Sequence, residues 1–255
     1  MPVDRKEDKR QMSNEEDNAQ PDEGWAKPTE GLEVSGLPAE ALNLNVEGRQ
    51  LAGALQGFGK MWQKTYRVQV SESATPEEVI GSWKENYSSF WPPKDNLYTP
   101  FSKLNAGDVA VINSSQGGVK LSTGVMVVFA DQRSFTFMTP QGHPFAGWIT
   151  FSAFEDEDAT KAQVQVLMRT GDPIYEAAFA LFAGRKEDKM WQYTLRSVAA
   201  HFGSDGQVSQ EVVCVDPKRQ WSQTKNLRHN AAIRSGMYAL GAPFRALRGL
   251  FRRNP

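Results

Sequence analysis

Between Leu121 and Phe202, short alternating segments give way to one long amphipathic stretch, and few folds satisfy that order. Leu121–Ala130, Ser134–Thr139, Phe145–Phe154 and Ala162–Thr170 read as strands, and a helix opens at Asp172-Pro173. Ile149, Phe151 and Ala153 oppose Thr150 and Ser152, while Val164, Val166 and Met168 oppose Gln163, Gln165 and Arg169. One face is apolar and the other polar, the pattern of an antiparallel sheet covered on one side. Ile174, Phe179, Phe182, Trp191, Leu195, Val198 and Phe202 form the covering stripe of the helix. Asp172 is placed to cap it and Pro173 fits its first turn. Gly184 and the run Arg185-Lys186-Glu187-Asp188 interrupt the stripe, which predicts a bend or an exposed stretch there. A sheet followed by one long helix must bury the helix against a sheet face. If the sheet curves, the space between them is a pocket.

Upstream, Met61–Val70 reads as a first strand, with Tyr66, Val68 and Val70 on one face. The helix after it has explicit start signals. Thr75 can cap it, Pro76 fits the first helical position, and Glu78 completes a capping box. Ile80, Trp83, Tyr87, Phe90 and Trp91 give it an aromatic face, and Pro92-Pro93 ends it. Phe101–Lys103 and Val109–Asn113 are weaker strand candidates, and the acidic run Glu155-Asp156-Glu157-Asp158 reads as a solvated hairpin tip. The fold class expected is α+β.

Composition divides the chain into three zones. Residues 1–60 are read as a mostly disordered acidic tail and linker, since the first thirty hold one aromatic residue, Trp25, among many charged and amide side chains. Residues 61–203 form the globular domain, and 204–255 a linker and a basic amphipathic helix. After Asp216 no acidic residue occurs. On a helical wheel Phe244, Ala246, Leu247, Leu250 and Phe251 take one side, and Arg245, Arg248, Arg252 and Arg253 the other. That composition suits an anionic membrane surface, a partner protein, or packing on the protein's own body.

The formal net charge of -1 argues against nucleic acid as the main partner. Cys214 is the only cysteine, which excludes an intrachain disulfide and a cysteine-based zinc site; among Val212, Val213 and Val215 it reads as a buried small residue. No apolar run reaches spanning length, and MPVDRKEDKR has no apolar signal core, so a cytoplasmic protein is expected, or one peripheral to a membrane. The three histidines occur singly, without metal-ligand spacing, and neither a Gly-x-Ser-x-Gly elbow nor a nucleotide-binding glycine motif is found. No metal or cofactor is expected. His143, between Gly142 and Pro144, is the sharpest candidate for acid–base chemistry, but no carboxylate lies near it in sequence, and a structural role with the imidazole bonded to the local backbone is favoured. A C-terminal capping role suffices for His201, and His229 has no partner pattern.

The order strand, helix, antiparallel strands and long helix resembles the START/Bet v 1-like helix-grip superfamily, also called the polyketide cyclase and lipid-transport group. Within it, the run Phe135-Thr136-Phe137, Thr139, Gly142-His143-Pro144 and Gly147 is similar to a recurring segment of a bacterial and plant family with no established activity. The resemblance covers about Tyr66 to His201 and leaves both charged ends unexplained. It implies a curved antiparallel sheet wrapped around the long helix, with a cavity for a hydrophobic or amphipathic small molecule. The inward residues that fit such a lining are Ile149, Phe151, Val164, Val166 and Met168 from the sheet, with Phe179 and Phe182 from the helix. Three readings stay open: a non-catalytic binding protein, a cyclase- or hydrolase-like enzyme using His143, and an interaction protein acting through its charged tails. Oligomeric state is not legible.

Overall fold

The computed structural model describes residues 24–93, 96–99, 103–116, 119–157 and 159–242. One antiparallel sheet organises them. Its strands are β1 (Met61–Ser71), β2 (Asn96–Tyr98), β3 (Val109–Gln116), β4 (Val119–Ala130), β5 (Ser134–Met138), β6 (Phe145–Asp156), β7 (Ala159–Thr170) and β8 (Ser209–Asp216). Their order across the sheet is β2-β3-β4-β5-β6-β7-β1-β8, so the first strand of the chain lies between the last two.

Local chemistry accounts for the elements that bracket the sheet. Helix α1 (Pro76–Glu85) starts at a complete capping box: the Thr75 side chain accepts from the Glu78 amide, and the Glu78 carboxylate accepts from the Thr75 amide. A short 3-10 turn, Tyr87–Phe90, carries the chain on to Trp91. Asp172 caps α2 (Pro173–Ala178) by accepting from the Ile174 and Tyr175 amides. A π-helical turn, Phe179–Ala183, joins α2 to α3 (Gly184–His201). The break expected near Gly184 therefore takes the form of an extra residue in the turn just before it.

The alternation of β6 and β7 places Phe151, Ala153, Val164, Val166 and Met168 in the main core, facing Trp191, Leu195 and Val198 of α3. Helix α1 adds Val79, Ile80 and Trp83 to the same cluster. Ile174 departs from the expected stripe. It is about half exposed (48%), because the π turn rotates the α2 face relative to α3.

The other face of the sheet is not bare. Residues 24–60, expected to be tail and linker, are packed: Leu32 and Val46 cover Val109, Val111 and Met126 in a second, smaller core. Trp25 bridges to Phe129 and Leu51 to Pro140. Burying both faces of β3 and β4 requires this cover, since a sheet cannot leave an apolar face to water without cost.

The region after the long helix also differs from a linker. β8 pairs with β1 along Met61–Arg67, and α4 (Ala231–Leu240) packs on β4. Asn45 joins α4 to the cover, donating to the Ser122 and Ala231 carbonyls and to Ser235 Oγ. Cys214 is exposed, against its expected burial, because β8 is an edge strand with solvent on both faces. A short strand forms at Asn96–Tyr98, while Phe101 and Ser102 of the strand expected over Phe101–Lys103 lie outside the described residues.

Candidate functional site

The space between sheet and long helix is filled at its centre by rings. Phe151 stacks on Phe135 with centroids 4.6 Å apart, and meets Phe137, Trp83, Tyr87 and Trp191 at 5.3, 5.4, 5.6 and 5.7 Å. Trp91 closes on Trp191 at 6.1 Å. Of the residues proposed to line a cavity, Phe151, Val164, Val166 and Met168 are buried in this packing, and Ile149 and Phe179 are partly buried against it. Phe182 falls in the π turn, and its side chain lies outside the described residues. In and beside this cluster Trp83 Nε1, Tyr87 Oη, Trp91 Nε1 and Thr194 Oγ1 are buried without a hydrogen-bond partner among the described residues. Natural interiors rarely leave such groups unpaired.

Open room begins at the mouth, where a pocket of about 250 Å³ lies between the π turn and the β1–β8 edge. Trp62, Phe179, Ala180, Leu181 and Val212 supply its apolar wall. Leu181 is 78% exposed and Val212 46%, so the rim presents apolar groups to water. Lys64, Arg185 and Asp188 supply charge.

Lys64 is the centre of a buried network that sequence reasoning missed. Its ammonium lies 2.8 Å from Glu187 Oε2 and 2.7 Å from Asp188 Oδ1. Tyr66 donates to Asp188 Oδ1 (2.7 Å) and Trp191 Nε1 to Glu187 Oε1 (3.2 Å). Burial pulls the Lys64 ammonium down, but the two carboxylates outweigh it and its pKa ends above the ordinary value. Burial pushes Glu187 up and outweighs the pull of Lys64. Burial also works to raise Asp188, yet its hydrogen bonds from Lys64 and Tyr66 win and hold it below the usual carboxylate range. The network fastens α3 to β1 directly beside the mouth.

A second pocket, of about 210 Å³, lies at a different place, beneath the 3-10 helix Trp221–His229. His143 lines it. The His143 Nδ1 atom is 2.9 Å from the Phe145 carbonyl and 3.0 Å from the Phe145 amide, so in either tautomer the ring is bonded to its own turn. No carboxylate or hydroxyl bonds to it among the described residues, which removes the geometric support for His143 as an acid or base. Burial drives the imidazole down to about 4, against the pull of the Phe145 carbonyl.

This neutrality has a measurable consequence. Between pH 6.5 and about 4 the unfolded chain takes up a proton that the folded ring refuses, so stability falls as pH falls through that window. The total is up to about 3 kcal/mol. Urea melts at pH 7 and pH 4.5 should show the gap between the wild type and His143→Gln narrowing at the lower pH. Parallel pH dependences would mean that the ring is not held neutral.

The topology decides the fold. A long helix lies across the concave face of an antiparallel sheet whose first strand pairs with its last hairpin strand, with α1 closing one end. This is a helix-grip fold. No protein-family model matches the sequence, and no curated protein does. Solved structures overlap it in part. A START superfamily protein from Mycobacterium smegmatis is 20% identical over 56% of this chain and 99% of its own, with a TM-score of 0.40. A conserved protein from Geobacillus kaustophilus is 9% identical over 58% and 98%, with a TM-score of 0.41. Ara h 8.0201 is 10% identical over 55% and 97%, with a TM-score of 0.38.

Among the described residues no helix is long and apolar enough to cross a membrane, and no group of three or more His, Cys, Asp or Glu is placed to hold a metal ion. The tail residues Phe244, Arg245, Leu247, Arg248, Leu250, Phe251, Arg252 and Arg253 lie outside the described residues.

Proposed function

We propose that the protein is a non-catalytic binding module for a hydrophobic or amphipathic small molecule, which enters at the mouth between the π turn and the β1–β8 edge. The observation that carries this reading is the exposed apolar rim: Leu181 and Val212 stand in water beside an open pocket instead of closing it. Single exposed apolar residues are ordinary; two of them bordering a pocket already walled by Trp62 and Phe179 favour a ligand's apolar body there. Arg185 at the same rim suits a polar or anionic head group. The aromatic packing confines the ligand to the mouth unless the π turn moves, and such turns recur at functional sites. The arginine-rich segment Phe244–Arg253 would hold this mouth near an anionic membrane surface.

Transfer of a pyrene-labelled fatty acid from vesicles to the full chain tests both parts. Burying one leucine contributes about 1.5–3 kcal/mol, so Leu181→Asp should weaken uptake about tenfold or more from any vesicle. Ending the chain at Pro243 should slow transfer from vesicles rich in phosphatidylserine and leave transfer from neutral ones unchanged. Uptake indifferent to Leu181→Asp would remove the mouth from the reading.

A further inference from the structure

The second pocket carries chemistry unrelated to the mouth. Its wall includes Gln56, Gln141, Lys225, Arg228 and His229, and Arg49 reaches His229 from the side of the cover segment. Arg49 Nη1 lies 2.6 Å from His229 Nδ1, and Arg228 Nε donates to His229 Nε2 at 3.0 Å. A neutral imidazole has one acceptor nitrogen, because the other carries its proton. Two guanidinium groups, each only a donor, therefore compete for one lone pair. Arg234 adds a third positive charge near the same ring, its Nε donating to Asn45 Oδ1. Among the described residues none of Arg49, Lys225, Arg228 and Arg234 is paired with a carboxylate.

Asp172, the acidic group on the pocket wall among the described residues, forms no ion pair with these cations. Asp172 Oδ1 accepts from the Ile174 and Tyr175 amides and Oδ2 from Asn230 Nδ2, so its lone pairs are largely committed to capping α2 and holding α4. We infer that this pocket binds a phosphate-bearing small molecule, whose oxyanion takes the donor hydrogens that Arg49 and Arg228 now both direct at His229. Guanidinium groups match phosphate geometry, and an anion relieves both the like-charge crowding and the surplus of donors. The same crowding appears in the titration of the ring, where burial and then Arg49, Arg228 and Arg234 hold His229 below its ordinary pKa. Burial and then Arg234 likewise lower Arg49. Amide side chains from Gln56 and Gln141 leave neutral donors for the rest of the molecule.

The phosphate could be that of a soluble ester or of a lipid head group, and two probes distinguish them. The full chain with isotope-labelled histidine is titrated with inorganic phosphate and, separately, with dihexanoyl phosphatidic acid below its micelle concentration, both at constant ionic strength. A saturable shift of the His229 ring signals is expected, weakened about tenfold or more by Arg228→Gln, whose side chain is exposed, and by Arg49→Gln. Saturation by inorganic phosphate at least as tight as by the lipid assigns a soluble ester, and tighter saturation by the lipid assigns a head group. Shifts that only track chloride, or binding that survives both variants in chains whose spectra remain folded, overturn the site. Uptake at the mouth is read through Leu181 and is independent of this result.

Discussion

Replacing Lys64 by methionine should destabilise the protein by about 3–5 kcal/mol, because it strands a buried charge. Lys64 and Glu187 are each about 5% exposed, and they face each other across the contact between β1 and α3. Without the ammonium, Glu187 keeps only the Trp191 indole N–H as partner among the described residues and must either stay charged in an apolar setting or take up a proton. Burial already holds its pKa above the ordinary value with Lys64 present, and removing Lys64 moves it further up. A carboxyl whose folded pKa is raised favours the folded state most below the unfolded pKa, and loses that advantage as pH rises through the folded one. The deficit of Lys64→Met should therefore be smaller at pH 4 than at pH 8. The double variant Lys64→Met, Glu187→Met should recover much of the loss, since an apolar pair of similar volume replaces an ion pair at little net cost. Urea melts of both variants and the wild type close the cycle. Additive losses would show that the pair does not act as a unit.

That network also marks the limit of what was legible in the chain. Glu187 sits in the run Arg185-Lys186-Glu187-Asp188, which by composition is a solvated helix face. Only the partner, 123 positions away in β1, turns it inward, and no local pattern records so distant a contact. The features that were legible are local in cause: the Thr75 capping box, the Asp172 cap, and the period-two alternation of β6 and β7. β8 was missed for the opposite reason. Val212, Val213, Cys214 and Val215 form an apolar run rich in β-branched valine, but reading it as buried presumed that apolar residues are covered, and an edge strand covers neither face.

The cover over β3 and β4 did leave a trace. Val109–Ile112 and Val125–Ala130 are continuous apolar runs, unlike the alternating β6 and β7, and continuous runs belong to strands buried on both faces. Something had to cover the outer face, and the polar composition of the first thirty residues drew attention away from Leu32 and Val46. Likewise nothing in the spacing of His229 announced the second pocket. It is assembled from the cover, the turn after β5 and the 3-10 helix, which meet only in three dimensions.

Phe151→Ala should cost about 3–5 kcal/mol and convert a filled interior into a cavity. Its ring is fully buried and lies within 5.7 Å of five other aromatic rings, contributed by α1, β5, α3 and the 3-10 turn after α1. Close-packed rings supplied by separate elements relax poorly into a void, so the loss should sit at the upper end for a buried phenylalanine. The void would open beside Trp83 and Tyr87, whose indole N–H and phenol hydroxyl have no partner among the described residues. A small ring with a polar atom should therefore restore stability more than an apolar ring of the same size. Thermal melts with phenol and with benzene measure this, since a ligand that binds only the folded state raises its stability with concentration. The wild type should respond to neither in its core, because the space is occupied by its own side chain. A loss below about 1 kcal/mol, or equal responses of wild type and variant, would mean that the interior is already open. In that case the ligand of the mouth would have a deeper seat than the ring packing allows.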